Sequence, residues 1–184
     1  MCNIKSTRRQ SGFTLVELLI VAIILAILAA IIVPQFASTT VSAQESALRA
    51  NATAMRSAIG LYNQQHGEYP SVNTAVPVPA CAGTSGTGTA GTLQAFEDQL
   101  TLYSNAAGGT CSIAGALYPF GPYIQDDSIP SNPITDSAVV VIVTTGNLAL
   151  AGVADGGWRF DSVSGKFIVD DTGNDSQGVP YSDY

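Results

Sequence analysis

Charge is scarce in this 184-residue sequence: Asp, Glu, Lys and Arg together make up 11% of it, against about a quarter in an ordinary soluble domain. Basic side chains are scarcer still, with seven against 14 acids and a net charge of −7. Three of the seven, Lys5, Arg8 and Arg9, lie in the first twelve residues, where there is no acid. Past them only Arg49, Arg56, Arg159 and Lys166 remain. That excludes nonspecific nucleic-acid binding, which depends on neutralising phosphates with cations, and it excludes a basic patch as the main membrane anchor. Histidine occurs once, as His66. A Ser-His-Asp site would need that residue and distant partners, and at a helix end a cap is the simpler role. No enzyme is expected. The three cysteines, Cys2, Cys81 and Cys111, lack the CxxC spacing of zinc or redox sites. A formal G-x-G-x-x-G match at Gly86 to Gly91 also fails, because VPVPACAGTS before it is no strand and no βαβ unit follows. It reads as a flexible loop.

What the chain does have is one long apolar run. FTLVELLIVAIILAILAAIIV, from Phe13 to Val33, is about 21 residues and long enough to span a bilayer as a helix. The basic stretch before it predicts a cytoplasmic N-terminus and export of the rest. The run is longer than the core of a secretory signal, and no A-x-A site follows it. Beyond Pro34, Val41, Leu48, Met55 and Tyr62 recur every seventh residue, with Ala52 and Ile59 beside them, an apolar stripe at helical spacing. Glu45 and Arg49 are set for an i,i+4 pair. Stop signals gather at His66-Gly67 and Tyr69-Pro70. One helix from about residue 13 to about residue 65 is predicted, roughly 80 Å long at 1.5 Å per residue.

Downstream, residues 71–91 form a Pro-, Thr- and Gly-rich loop and Thr92 to Ser104 a short helix. Strand-like patterns follow at Ala138–Thr145 and Asn147–Val153, then a hairpin, GWRFDSVSGKFIV, turning at Ser162 to Gly165. The segment after Asp170 is polar and without period.

Glu17 stands out, a carboxylate four residues into the apolar span, where burial in lipid is costly and usually functional. A cut between Gly12 and Phe13 would create an amine that a neighbouring chain's Glu17 could neutralise. The sequence Arg9-Gln10-Ser11-Gly12-Phe13-Thr14-Leu15-Val16-Glu17-Leu18-Leu19 resembles the prepilin cleavage and methylation motif of type IV pilins and type II secretion pseudopilins. Pro34 falls at mature position 22, where that family commonly has proline. The Tyr62, Gly67, Tyr69 and Pro70 pattern is similar too, and the hairpin with Gly157-Trp158 and Gly165-Lys166 resembles the pseudopilin one.

The resemblance implies cleavage after Gly12 by a prepilin peptidase, N-methylation of Phe13, and helices that pack as a filament core with Glu17 and Pro34 serving assembly. Its implied partners are the membrane before assembly, an inner-membrane assembly platform and further copies of the chain. The implied place is the inner membrane first, then an extracellular pilus or a periplasm-spanning pseudopilus. The expected function is a structural subunit of a type IV pilus-like filament. The alternative is a major pseudopilin of a type II secretion system, and the second alternative a membrane-anchored minor pilin with an adhesive or binding role.

Cys81 and Cys111 are an even pair in an exported region, which favours a disulfide. Closing that loop would stabilise by roughly 3 kcal/mol in the chain-entropy model. No cofactor is expected unless it is calcium. Asp171-x-Gly173-x-Asp175 has alternating oxygens, and major pseudopilins hold calcium near the C-terminus; a solvated acidic tail is the competing reading. The expected fold class is α+β, a long N-terminal helix packed on an antiparallel sheet of three to four strands. By sequence the chain divides into a leader (1–12), a transmembrane and filament-core helix (13–34), a distal helix half (35–66), a variable loop region with the disulfide (67–136), a sheet (137–170) and an acidic tail (171–184).

Overall fold

The computed structural model describes residues 13–79, 81–125, 128–149 and 156–184. The leader residues 1–12, with the expected cleavage residue Gly12, lie outside the described residues. The chain forms two compact units that divide between Val41 and Ser42.

The first unit is helical. Helix α1, Leu15–His66, begins here and continues through position 34 without a break in its helical backbone. It is long and apolar enough to cross a membrane by length and composition. The large apolar side chains from Leu15 to Val33 are exposed, Leu15 at 80% and Val33 at 65%. A helix this apolar around its circumference is of the kind that is buried in protein or spans a membrane.

The second unit contains the rest of α1, which stops at Gly67. That glycine has φ +76° and its N–H bonds the carbonyl of Asn63, the left-handed ending that glycine permits without a Cβ penalty. The seven-residue stripe holds from its second member onward: Leu48, Ala52, Met55, Ile59 and Tyr62 are each at most 2% exposed, whereas Val41 is 44% exposed. Helix α2, Leu93–Thr101, is capped by Thr92, whose side chain accepts from the N–H of Ala95. It adds Phe96 and Leu100 to the core.

Two small sheets follow. Strands β1 (Tyr103–Ser104) and β2 (Thr110–Cys111) pair antiparallel. Strands β3 (Val140–Val143), β4 (Trp158–Asp161) and β5 (Phe167–Val169) form the larger sheet in the order β3-β4-β5. The fold is the α+β arrangement expected, and β4 and β5 are the predicted hairpin. The larger sheet is mixed, however, because β3 runs parallel to β4, in register Val140 to Trp158. The strand expected at 147–153 would have returned the chain antiparallel. Asn147 to Ala149 form no strand, and 150–153 lie outside the described residues. The core closes between α1, α2 and this sheet around Trp158, Phe160, Phe167 and Val169, all at most 1% exposed. Gly157 lets β4 enter beside β3, since a Cβ there would stand 2.1 Å from the Val139 carbonyl oxygen.

The C-terminal segment is not a solvated tail. Tyr181, which opens a 3-10 turn at Tyr181–Asp183, is in the core cluster at 8% exposure. Its acids are partly spoken for: Asp175 is 7% exposed and meets α1 as described below.

Candidate functional site

The start of α1 is built by a reciprocal pair. The Thr14 N–H donates to Glu17 Oε2 at 2.9 Å and its hydroxyl at 2.8 Å, while the Glu17 N–H donates to Thr14 Oγ1 at 3.2 Å. This is a capping box, in which a Thr and a Glu three residues on satisfy otherwise orphaned helix-end donors. Thr14-x-x-Glu17 is its signal in the sequence. The carboxylate is exposed, as is Phe13 at 77%, and among the described residues it has local donors but no cation. Pro34 lies within the backbone of α1.

Cys81 and Cys111 are joined, with their Cα atoms 5.6 Å apart. The loop they staple is more ordered than its composition suggested. Ala75 donates to Gly88, Gly86 to Thr110 and Thr110 to Ala75 along the backbone. The formal phosphate motif is filled by the protein itself. The N–H groups of Thr87 and Gly88 both donate to Asp98 Oδ2, and a Cβ on Gly88 would sit 2.1 Å from the Ala95 nitrogen. Amides that would cradle an anion already hold a carboxylate, which also repels one.

His66 is half-buried rather than a surface cap. Its ring stacks on Tyr62 with centroids 4.0 Å apart, and Nε2 lies 3.0 Å from Ser104 Oγ and 3.1 Å from Tyr123 Oη. A Ser-His contact therefore exists, but not a hydrolytic one. Ser104 is fully buried, and Nδ1 has no well-formed hydrogen bond to orient the ring. Burial pushes the imidazole below its ordinary range, only partly offset by the Ala106 backbone.

Glu45 and Arg49 do not pair with each other, as their spacing suggested; each reaches the C-terminal segment. Glu45 accepts from the N–H and the hydroxyl of Ser176, both at 2.8 Å. Arg49 Nη2 lies 2.7 Å from Asp175 Oδ2 and its guanidinium lies 4.2 Å from the centroid of the Tyr184 ring. The Tyr184 hydroxyl and the N–H groups of Gln177 and Val179 also donate to Asp175. Of the two residues considered for calcium, Asp175 is thus engaged by protein donors and Asp171 Oδ1 accepts from the Gly173 N–H. Among the described residues, no group of three or more His, Cys, Asp or Glu side chains converges.

The Tyr184 hydroxyl, the backbone amides and Arg49 hold the Asp175 carboxyl below its usual range, against the opposing effect of burial. A carboxylate with a lowered folded pKa contributes stability that is present above its unfolded value, about 3.9, and lost as pH falls through the folded one. Asp175→Asn is therefore expected to lower the urea midpoint near neutral pH. The gap from wild type should shrink as pH is taken from about 6 to about 2. A gap that stays constant over that range would contradict this role.

Residues 7–33 match the family described as the prokaryotic N-terminal methylation motif. The chain is 35% identical over 106 residues to the type IV narrow pilus major component PilA5 of Thermus thermophilus, covering 58% of this chain and 88% of that one. It is 42% identical over 77 residues to a fimbrial protein of Neisseria meningitidis and 41% identical over 64 residues to type II secretion system core protein G of Pseudomonas aeruginosa. Those two alignments cover 42% and 35% of this chain and span 45% of the length of each relative. No solved structure matches. The chain belongs to the type IV pilin family, which includes the secretion pseudopilins.

Proposed function

We propose that this protein is the structural subunit of a type IV pilus-like filament. In this reading residues 13–34 hold it in the inner membrane as a single span. Prepilin peptidase removes the leader after Gly12 and methylates Phe13, and an assembly platform then moves the helix from lipid into a bundle of identical helices. The observation that carries it is the coincidence, in one chain, of the methylation motif, a helix exposed and apolar on all sides from Leu15 to Val33, and an outer unit with its own core and disulfide. Helices of that kind are satisfied by lipid first and by one another afterwards.

A secretion pseudopilin is the second reading, favoured by the identity to core protein G; the longer alignment to the Thermus pilus component favours the first. Intact-mass spectra of sheared filaments test the proposal. The main band is expected to begin at N-methyl-Phe13, and Gly12→Val to leave the leader attached. A main band of other identity, or one that retains residues 1–12, overturns it.

A further inference from the structure

Removal of residues 1–12 takes three of the seven bases and none of the 14 acids, leaving a side-chain charge of −10 with only Arg49, Arg56, Arg159 and Lys166 positive. Two of these four are consumed inside the subunit. Arg159 forms a buried two-bond pair with Asp170, at 3.1 and 2.9 Å, and Arg49 is bound to Asp175 and Tyr184. The other two both lie at the start of β5. Arg56 Nε donates to the Phe167 carbonyl at 2.9 Å, and Lys166 is the residue just before it, exposed at the entrance to the edge strand β5. Among the described residues neither forms an ion pair, and the Lys166 side chain has no hydrogen bond. Asp136 and Asp183, both exposed, likewise have no cation.

We propose that Lys166, with Arg56 bound to the neighbouring residue of β5, is a docking point for an exposed carboxylate of a second copy of this chain, Asp136 or Asp183. The inference rests on the filament reading. Copies carrying −10 each and packed closer than the Debye length, about 8 Å at physiological salt, repel one another unless opposite charges are brought into register. Lys166 is the exposed basic side chain that has no hydrogen bond or ion pair among the described residues, and the chain has many acids, so its own surface is the complement. Pairs of this type fix orientation and reject wrong registers more than they add raw affinity.

The test is a series at position 166, read as sheared filament yield in cells with functional processing. Lys166→Arg is expected to assemble like wild type, Lys166→Gln less, and Lys166→Glu about tenfold less or worse. Processing after Gly12 and the Cys81–Cys111 bridge should be unchanged, which separates docking from folding. Pairing Lys166→Glu with Asp136→Lys or Asp183→Lys is expected to recover yield. Wild-type yield from Lys166→Glu overturns this inference while leaving the filament reading intact. So does unchanged yield with lost binding to duplex DNA, which would assign the spot to a polyanion. Wild-type cells without filaments of this chain would remove both.

Discussion

Glu17→Gln is expected to reduce filament yield to near zero while cleavage after Gly12, membrane insertion and the Cys81–Cys111 bridge all persist. The capping box makes this substitution unusually clean. Glutamine serves the same role as glutamate at the third position of such a box, so the amide oxygen still accepts from Thr14 and the first turn of α1 stays closed. Only the charge is lost. Among the described residues that charge meets no cation, and the first basic side chain after Phe13 is Arg49. Phe13 lies just outside the helix, one residue before the Thr14 N–H that already donates to the carboxylate, so the amine that cleavage would create on it is the competing partner at that helix end. A neighbouring subunit displaced by a few ångströms could place its own amine directly against the carboxylate. Between packed apolar helices that attraction is stronger than at a surface and sets the axial register. Glu17→Leu, which removes cap and charge together, gives the comparison. If Glu17→Gln filaments form in wild-type amounts, Glu17 is a helix cap and the pairing is wrong.

Much of this architecture was legible from periodicity. The apolar run, the stripe from Leu48 to Tyr62, the short helix and the hairpin each have a period or a stop signal that short-range physics reads correctly. The failures share a cause: they depend on where distant segments meet. Glu45 and Arg49 have the spacing of a helical pair, yet each finds a better partner in the C-terminal segment, because Tyr181 buries its ring and brings Asp175 and Ser176 against α1. Nothing in the polar run after Asp170 announces that anchoring except the two tyrosines. The parallel entry of β4 beside β3 is topological, and alternating residues look the same in either direction. The loop at 86–91 reads as flexible from its glycines, whereas Gly88 packs against the backbone of α2, Gly86 against Thr110 and Ala75, and Gly91 takes a positive φ. The Ser104–His66 contact shows the converse case, two catalytic residue types brought together by packing in a place no substrate reaches.

The same logic of distant partners gives the largest expected stability effect in the outer unit, at Arg159 and Asp170. Their side chains are 9% and 4% exposed, and two parallel bonds join the guanidinium to the carboxylate just beyond the end of β5. Arg159→Met fills similar space but strands a buried carboxylate, which costs about 3–5 kcal/mol. Against a typical total of about 5–15 kcal/mol, that loss should appear as a large drop in urea midpoint and in the amount of subunit recovered from cells. The pair as a whole is a different matter, because removing two charges from water offsets most of what their attraction contributes. Arg159→Met combined with Asp170→Leu is therefore expected to recover most of the loss, within about 1–2 kcal/mol of wild type. The double-mutant cycle separates the two effects. A small cost for Arg159→Met alone, below about 1 kcal/mol, would mean that water reaches Asp170 and that the pair behaves as a surface one. A double variant as unstable as the single would mean that β4 needs the arginine for more than its charge, its stem packing beside Ile168 across the strand pair.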